Sequence, residues 1–362
     1  MQRIVYKKAT VYLVSMFSFK TASTVAVFLT IGLVTGIFLG QTVIPQPRQE
    51  ITTIKFILDW AIQGYHAPFI VALEKGYFAQ EGLAVIMDRG YGSADSYAKI
   101  AAGTYQMGYG SLDVLIEFNS KNPGSELIAV YIVMNSPPYS VITLKDKKIV
   151  SPKDLEGKKI GGGAADSSRR LFPVFAKATG VDPQKIEWIT VTPALREPSL
   201  VKGDVDAITA YYISGYINLL SLNVNPDNIV AFKYKDYVDL YGDAIVVRKD
   251  FMQANPEAVA KFVRAVNRAL KEVIADPYKA ADFVKQRDPL VDKNVELQRL
   301  MLALNDNILT EEVRRSGLGS VDRSRLEETI KKVAEAFDLQ KTPTVDEVFT
   351  DKFLPPLEER RL

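Results

Sequence analysis

The sequence predicts an α/β protein whose body has two lobes, each an open and mostly parallel sheet with helices on both faces, preceded by an N-terminal membrane anchor. The chain has 362 residues, which is long enough for two lobes of ordinary size. From residue 52 onward, short apolar segments alternate with segments of helical periodicity, a pattern typical of open α/β sheets. Residues 21–45 contain no charge and are long enough to span a bilayer.

The first lobe begins with a βαβαβ pattern. Four apolar segments are predicted strands: "TTIKFIL" (52–58), "LAVIMDRG" (83–90), "YQMGYGS" (105–111) and "LIAVYIV" (127–133). Three segments between them are predicted helices: "PFIVALEKG", "SADSYAKIAAG" and "LDVLIEFNS". Ser93 and Asp95 are candidate N-caps of the second helix. The last strand is apolar throughout, which indicates a sheet covered on both faces.

A second unit is predicted to begin near Lys145. It has a turn, a strand, a glycine-rich loop and a helix over 151–180, followed by the strands "IEWITV", "VDAITAY" and "NIVAFKY". After "GDAIVVRKD" (242–250) the chain is predicted to be helical to about residue 338. The clearest helix begins at Asn255-Pro256-Glu257, which supplies a cap residue, a proline at the first helical position and an acid near the positive end.

Composition excludes several classes of function. Residues 1–50 hold five basic residues and one acidic residue, so the remaining 40 basic and 42 acidic residues leave the body close to neutral, and no nucleic-acid partner is expected. The chain has no cysteine and one histidine, His66, so no disulfide, metal site or metal cofactor is expected. A Ser-His-Asp triad would have to use His66, and the G-x-S-x-G elbow is absent.

The N-terminal segment predicts export. Lys7, Lys8 and Lys20 precede the uncharged stretch, so the positive-inside rule leaves the N-terminus in the cytoplasm and the body outside. Val34-Thr35-Gly36 is a weak candidate for a cleavage site, so the segment is interpreted as an uncleaved signal anchor or an atypical signal peptide. The body is therefore predicted to be extracytoplasmic, anchored or secreted through residues 21–45.

Five segments in order carry a resemblance to a known family: "LDWAIQGYHAPFIVALEKGYFAQEGLAV", "YGSADSYAKIAAGTYQMGYGS", "DLEGKKIGGG", "LVKGDVDAITAY" and "NPEAVAKFVRAVNRALKEVIADPYKAADFV". Over about residues 52–340 the chain resembles the ABC-transporter periplasmic substrate-binding proteins of the nitrate/sulfonate/taurine and thiamine-pyrimidine-precursor group. The resemblance implies a type II periplasmic-binding-protein fold that closes on a solute by a hinge motion. It also implies a monomer that delivers the solute to an ABC permease and its ATPase.

The resemblance implies that residues 46–143 with 243–350 form lobe one and that residues 144–242 form lobe two. The signal segment, residues 1–45, is predicted from the sequence pattern and not from the family, and residues 351–362 are expected to be a tail.

The same family includes pyrimidine synthases of thiamine biosynthesis, which use their own histidine and a bound pyridoxal phosphate. In the matching segment "MGYGSLDV", Gly110 stands at the position of the cofactor-binding lysine and Val114 at that of the histidine. Without the lysine amine there is no Schiff base. The resemblance therefore implies a protein that is not an enzyme and holds no cofactor.

Ligands of open α/β sheets bind beyond the carboxyl ends of the strands, which directs attention to four loops. In the first loop, Trp60 offers a face for stacking, while Asp59 and His66 could orient a ring by hydrogen bonds. The alternative is that Trp60 packs beneath the loop, Asp59 caps it and His66 starts the next helix. In the second and third loops, Ser93 and Ser111 lie at predicted helix starts, where they bind solute or cap the helix.

The fourth loop, "GGGAADSSRR" (161–170), resembles the anion-binding loop of sulfonate-binding relatives. Ser167 and Ser168 are its candidate ligand residues, with Arg169 or Arg170 adding charge. Asp166 would repel an anion if it faced the cleft. Arg196 either reaches the cleft or braces its lobe through Glu197.

Tyr211 and Tyr212 end a strand of lobe two and could clamp a ring against Trp60, with one of them pointing inward and the other packing. A thiamine-pyrimidine-like aromatic solute is the leading prediction. An organic sulfonate or carboxylate, nitrate and riboflavin are alternatives, as is an anchored sensory domain with a degenerate cleft. Pyrimidine-binding relatives place an acid after these tyrosines, and "YYISGYIN" has none.

Overall fold

The computed structural model describes residues 51–124 and 126–362. The predicted anchor at residues 21–45 lies outside these ranges. Within them, no helix is both long enough and apolar enough to cross a bilayer.

In the part of the chain that the structure describes, ten strands form two five-stranded sheets. The first sheet has the order β2-β1-β3-β10-β4 and the second has the order β7-β6-β8-β5-β9. The strands are β1 (Thr52–Ile57), β2 (Leu83–Asp88), β3 (Met107–Ser111), β4 (Leu127–Ile132), β5 (Tyr139–Leu144), β6 (Lys159–Gly162), β7 (Glu187–Thr190), β8 (Ala207–Tyr211), β9 (Ile229–Lys233) and β10 (Asp243–Arg248).

Sixteen α-helices are found in the described ranges. They are α1 (Ala67–Glu74), α2 (Tyr77–Gln80), α3 (Ser93–Ala101), α4 (Leu112–Lys121), α5 (Ser167–Arg170), α6 (Phe172–Thr179), α7 (Arg196–Lys202), α8 (Tyr212–Ser221), α9 (Lys249–Ala254), α10 (Pro256–Ala275), α11 (Pro277–Arg287), α12 (Lys293–Ala303), α13 (Glu311–Ser316), α14 (Arg323–Ala336), α15 (Val345–Val348) and α16 (Leu357–Arg360).

Both sheets are mixed, with one strand reversed in each. Strand β10 is antiparallel to β3 and β4, whereas β1 pairs in parallel with β2 and β3. Strand β5 is likewise antiparallel to β8 and β9. Every residue of β4 is buried, as expected for a strand of a sheet covered on both faces. The predicted α/β class with two mostly parallel sheets is confirmed.

The chain passes between the sheets twice, through residues 133–138 and residues 234–242. Strand β5 at 139–144 already belongs to the second sheet, although the sequence predicts the new unit only from Lys145 and predicts no strand here. The apolar segment "YSVITL" follows another apolar strand after a short connection, so local pattern does not separate the two.

Helix starts differ from prediction at α3 and agree at α10. The N-cap of α3 is Gly92, and no side chain caps this helix, so neither Ser93 nor Asp95 has the predicted role. Asp95 instead pairs with Lys99 one turn later, at 2.7 Å. Helix α10 has Asn255 at its N-cap and Pro256 at its first position, although the Asn255 side chain makes no capping bond.

Candidate binding cleft

The loops that follow β1, β2, β6, β7 and β8 meet between the two sheets and enclose a cleft. This is the edge at which the carboxyl ends of parallel strands present ligand-binding loops. The cleft is lined by Asp59, Trp60, Tyr65, Gly92, Ser93, Asp166, Ser167, Arg196, Tyr211 and Ser214. Its cavity volume is about 10 Å³. That volume corresponds to the space of about one ordered water molecule, so the two sheets are closed on each other.

Direct contacts between the two sides hold this closed arrangement. The Ser93 hydroxyl lies 2.9 Å from the Ser167 hydroxyl across the cleft. Gly92 lies so close to the opposite loop that an added Cβ would stand 2.2 Å from the carbonyl oxygen of Ala165. A side chain at position 92 is therefore incompatible with this closure.

Aromatic rings supply much of the apolar lining. Trp60 is 8% exposed, and the Arg196 guanidinium lies over its ring at 5.2 Å from the centroid. This is a cation–π contact between the two sides of the cleft. The rings of Tyr65 and Tyr211 also face each other across the cleft, with centroids 6.2 Å apart.

His66 lies behind Asp59 and fixes its orientation. The His66 Nδ1 atom accepts a hydrogen bond from the Gln63 backbone N–H at 3.1 Å, so in a neutral ring the proton resides on Nε2. Nε2 then donates to the Asp59 Oδ1 atom at 2.7 Å. Burial lowers the pKa of His66 to about 3, in agreement with a neutral donor.

The Asp59 carboxyl is buried, and its second oxygen accepts a hydrogen bond from the Tyr65 hydroxyl at 3.3 Å. Burial raises the pKa of Asp59 to about 8, and the nearby Asp166 carboxylate adds to the rise, while hydrogen bonds to the carboxylate oppose it. At neutral pH most molecules therefore hold Asp59 as the carboxylic acid. A neutral carboxyl can donate one hydrogen bond and accept others.

Arg196 is the buried cation of the cleft and is bound by two acids. Its guanidinium donates to Asp166 at 3.1 Å and to Glu197 at 2.7 Å. Burial raises the pKa of Asp166, with the Arg196 charge opposing the rise. The sequence leaves two roles open for Arg196, and the structure shows both. The residue lines the cleft and also braces its lobe through Glu197.

Five predicted site residues line the cleft together: Asp59, Trp60, Ser93, Ser167 and Tyr211. They come from three loops and the end of β8, and thus from both sheets. Of the two tyrosines at the end of β8, it is Tyr211 that points inward. Its hydroxyl donates to the Asp243 carboxyl at 2.9 Å and lies 3.2 Å from the Ser167 hydroxyl.

Four predicted site residues do not line the cleft. His66 is fully buried behind Asp59. Ser168, which follows Ser167 in the sequence, is also fully buried. Ser111 caps α4 by accepting the Val114 backbone N–H at 3.1 Å. Tyr212 stacks on Tyr216, with the Lys233 ammonium 3.8 Å from its ring centroid. Local sequence could not separate these residues from the lining set, because adjacent side chains at a strand or helix end point in different directions.

The two arginines of the fourth loop also point elsewhere. Arg169 donates to the Gly162 carbonyl at 2.8 Å and lies over Trp188 at 4.9 Å. Arg170 pairs with Glu117 of α4, so it joins the second sheet to the first outside the cleft.

Three residues that the sequence does not single out belong to the site. Tyr65 and Ser214 line it, and Asp243 supports Tyr211 from β10. Burial raises the pKa of Asp243 far above its ordinary value, with Asp59 as the second cause. A usable signal for Tyr65 was its place between Trp60 and His66, and for Asp243 it was an acid at the start of an apolar strand.

Position 110 has no room for a side chain. A Cβ added to Gly110 would stand 2.8 Å from the Ser93 hydroxyl oxygen and 2.9 Å from the Tyr97 hydroxyl oxygen. Val114, four residues later, is completely buried in α4. Neither position therefore presents a functional group to the cleft.

Comparison with known proteins identifies relatives of two kinds. A 4-amino-5-hydroxymethyl-2-methylpyrimidine phosphate synthase from Aspergillus parasiticus is 26% identical over 248 residues, which cover 66% of this chain and 71% of the relative. A formylaminopyrimidine-binding protein from Halalkalibacterium halodurans is 25% identical over 246 residues, which cover 67% of this chain and 73% of the relative.

Among solved structures, the alkanesulfonate-binding protein SsuA from Xanthomonas axonopodis pv. citri, bound to MOPS, has a TM-score of 0.64 at 14% identity. The match covers 83% of this chain and 99% of that one. The family model described as NMT1/THI5 like matches residues 63–280. The chain therefore belongs to the NMT1/THI5-like family and has the two-lobed α/β fold of periplasmic binding proteins.

Proposed function

We propose that this chain is the extracytoplasmic solute-binding component of an ABC importer and that it holds a small heteroaromatic solute between its two sheets. The observation that carries the proposal is the cleft itself. It combines the rings of Trp60, Tyr65 and Tyr211 with the convergent polar groups of Asp59, Ser93 and Ser167. Ligand sites in proteins are characteristically apolar clefts with a few well-placed polar groups.

The leading solute class is a pyrimidine like the precursors of thiamine. Aromatic faces bind flat rings by stacking. The Asp59 carboxyl, held by His66 and protonated at neutral pH, can both donate to a ring nitrogen and accept from a neighbouring amino group. The formylaminopyrimidine-binding relative supports this class. Riboflavin would use the same faces, but its larger ring system requires a wider opening.

Solute binding requires the sheets to separate and close again. The closed cleft has a volume of about 10 Å³. Drug-sized ligands occupy pockets of about 300–1,000 Å³. The two segments at residues 133–138 and 234–242 are the natural hinge, because they are the passages of the chain between the sheets.

A pyrimidine synthase is the second candidate function, favoured by the synthase relative. The crowding at Gly110 and the burial of Val114 argue against it, since neither position presents an amine or imidazole to the cleft. The absorbance of an imine after addition of pyridoxal phosphate to this protein would reverse the preference.

The test is a thermal-shift screen of the full chain in mild detergent against pyrimidines, flavins, aromatic acids, sulfonates and nitrate. A solute at 100 times its dissociation constant adds about 2.7 kcal/mol to the free energy of unfolding. We expect a pyrimidine hit, and we expect Trp60→Ala to remove it because the stacking face is lost.

The matched control is Trp188→Ala. Trp188 lies on β7 under Arg169 and does not line the cleft, so its loss should leave the hit intact. No hit from any solute class, with the protein folded, would favour a sensory domain with a degenerate cleft. A hit that survives Trp60→Ala would place the solute elsewhere.

The proposed location is the outer face of the membrane, with residues 21–45 as the anchor. We expect the full chain to sediment with membranes and a chain lacking residues 1–45 not to do so. Recovery of the full chain in the soluble fraction would contradict the anchor.

A further inference from the structure

A buried arginine in a ligand cleft would ordinarily attract an anion, yet four of the five N–H donors of the Arg196 guanidinium are bonded to protein groups. Its Nε and Nη2 atoms donate to one oxygen of Glu197 at 3.0 and 2.7 Å, and Nη2 also reaches the Ser214 hydroxyl at 3.3 Å. Its Nη1 atom donates to Asp166 at 3.1 Å. One face of the guanidinium lies on Trp60. Arg196 is 2% exposed, so little of it remains for a solute.

The two partners of Arg196 differ in position. Glu197 is its neighbour in sequence and follows it into α7, whereas Asp166 comes from the loop after β6 and lines the cleft. The second oxygen of Asp166 accepts the Arg169 backbone N–H at 3.2 Å. Asp166 therefore occupies the cleft-facing donors that an anionic solute would need.

We propose that Asp166 sets the charge selectivity of the cleft by serving as a built-in counter-anion for Arg196, so that the cleft rejects anionic solutes and accepts neutral or cationic ones. This deepens the proposed function, since it presumes that the cleft binds solutes.

The charge balance around Arg196 points the same way. One guanidinium faces two carboxyl groups, so with both ionised the group carries a net negative charge. Nearby arginines of the described chain are bonded to other groups: Arg169 to the Gly162 carbonyl, Arg170 to Glu117 and Arg299 to Glu296. Arg196 is the one cation among the described residues that line the cleft, and its two acids already balance it, so an anion there would meet the Asp166 carboxylate. Like charges in a buried site are strongly unfavourable.

Removal of the Asp166 carboxylate should reverse this selectivity. Arg196 would then keep only Glu197, the pair would be neutral, and the Nη1 donors and the Arg169 backbone N–H would face the cleft unpaired. An oxyanion can accept both kinds of donor. The variant cleft should therefore gain an anion site that the natural cleft lacks.

The experiment measures thermal shifts of the full chain and of Asp166→Ala with sodium sulfate, methanesulfonate and nitrate, against sodium chloride at matched ionic strength. We expect no saturable shift for the natural protein. Asp166→Ala should give a saturable shift, with half-saturation at an anion concentration at least tenfold below any shift of the natural protein, and adding Arg196→Ala should abolish it. Asp166→Asn keeps the shape of the side chain and removes its charge, so it tests the charge effect if Asp166→Ala does not fold. Its amide oxygen still accepts one of the two donors, so a smaller gain is expected.

The matched control is Asp276→Ala, which also removes a helix-capping carboxylate, here one that accepts the Lys279 backbone N–H at 2.9 Å away from the cleft. It should gain no anion binding. Saturable binding of these anions by the natural protein, or a folded Asp166 variant that gains none, would overturn the proposal. If the natural protein binds no pyrimidine in the solute screen, the proposed solute is refuted. The gain of anion binding by the Asp166 variant can still be measured in that case.

Discussion

At the scale of single residues, Asp59 and His66 form a buried pair that determines the chemistry of the first loop. His66 is withdrawn from the cleft, and its contribution is to orient Asp59 through the 2.7 Å hydrogen bond. Burial shifts the two pKa values in opposite directions, to about 8 for Asp59 and to about 3 for His66. Shifts of this kind make the free energy of unfolding depend on pH.

The first prediction concerns the sign of that dependence. The unfolded chain has ordinary pKa values, so between about pH 4 and pH 8 the folded state keeps a proton on Asp59 that the unfolded state releases, and stability falls as pH rises. Between about pH 3 and pH 6.5 the unfolded state binds a proton at His66 that the folded state does not, and stability rises with pH. The two effects oppose each other between about pH 4 and pH 6.5, and Asp59 alone acts above about pH 6.5.

Asp59→Asn should therefore remove a decline of about 1.6 kcal/mol between pH 6.5 and pH 8, since the slope of about 1.4 kcal/mol per pH unit halves as pH reaches the folded-state pKa. Urea unfolding at pH 5, 6.5 and 8 measures the difference between variant and natural protein. His66→Gln is the counterpart, and it should expose the Asp59 decline between pH 4 and pH 6.5. Parallel pH profiles for Asp59→Asn and the natural protein would show that Asp59 is ionised throughout.

At the scale of secondary-structure elements, helix ends bring the two sheets together. Helix α4, which packs on the first sheet, carries Glu117. The Glu117 side chain is 1% exposed and pairs with Arg170 of α5. The Arg170 Nε atom donates to the second Glu117 oxygen at 3.2 Å, so the contact is two-pronged. A weaker link of the same kind joins Lys177 of α6 to Glu335 of α14, where both side chains are exposed.

The second prediction compares these two links between the sheets. Arg170→Ala leaves Glu117 buried with Lys121 alone, so it should lower the free energy of unfolding by about 1–2 kcal/mol, less than for a fully buried pair because Arg170 is partly exposed. Lys177→Ala should cost less than about 0.5 kcal/mol, as exposed pairs do. Urea unfolding of the single variants and of the Glu117→Gln/Arg170→Ala double variant gives the coupling energy. Equal effects at the two positions would contradict the assignment.

At the scale of the whole molecule, the central feature is closure of the two sheets over a small cleft. The Ser93–Ser167 contact, the Arg196–Trp60 contact and the close approach of Gly92 to Ala165 all cross the cleft. The two chain passages, these contacts and links outside the cleft, such as Arg170–Glu117 and Arg299 with the Ile213 carbonyl, limit the separation of the sheets. Opening therefore trades these contacts for access of the solute.

The third prediction tests closure without a ligand. A Cβ at position 92 would lie 2.2 Å from the Ala165 carbonyl oxygen, and Gly92 also has a φ of 123°. Gly92→Ala should hold the sheets apart and increase the radius of gyration measured by small-angle X-ray scattering. The matched control is Gly180→Ala, where φ is also positive but no atom lies within 4 Å of an added Cβ. An unchanged radius for Gly92→Ala would mean that the closed arrangement is not the prevailing one in solution.

The sequence by itself determined the α/β class, the order of most strands and helices, and helix α10, because near-neighbour periodicity and cap residues set these features. In α10, the buried residues recur with the predicted helical period of 3.6, as at Val259, Phe262, Val263 and Val266. The resemblance carried by the "EKGYFAQEGL" turn and α10 also predicted the family. Strand β5 was not predicted, because its apolar segment has no residue that marks where a new strand begins.

Only the tertiary structure decided which side chains share the cleft. Tyr211 lines the cleft and Tyr212 does not, and His66, Ser111 and Ser168 lie outside the lining. Arg196 is paired with Asp166. The physical reason is that each of these outcomes depends on a partner supplied by another loop. Asp166 and Arg196 are 30 residues apart, and Ser93 and Ser167 are 74 apart. Local pattern places a residue at the end of a strand, while packing between the sheets decides which direction its side chain takes.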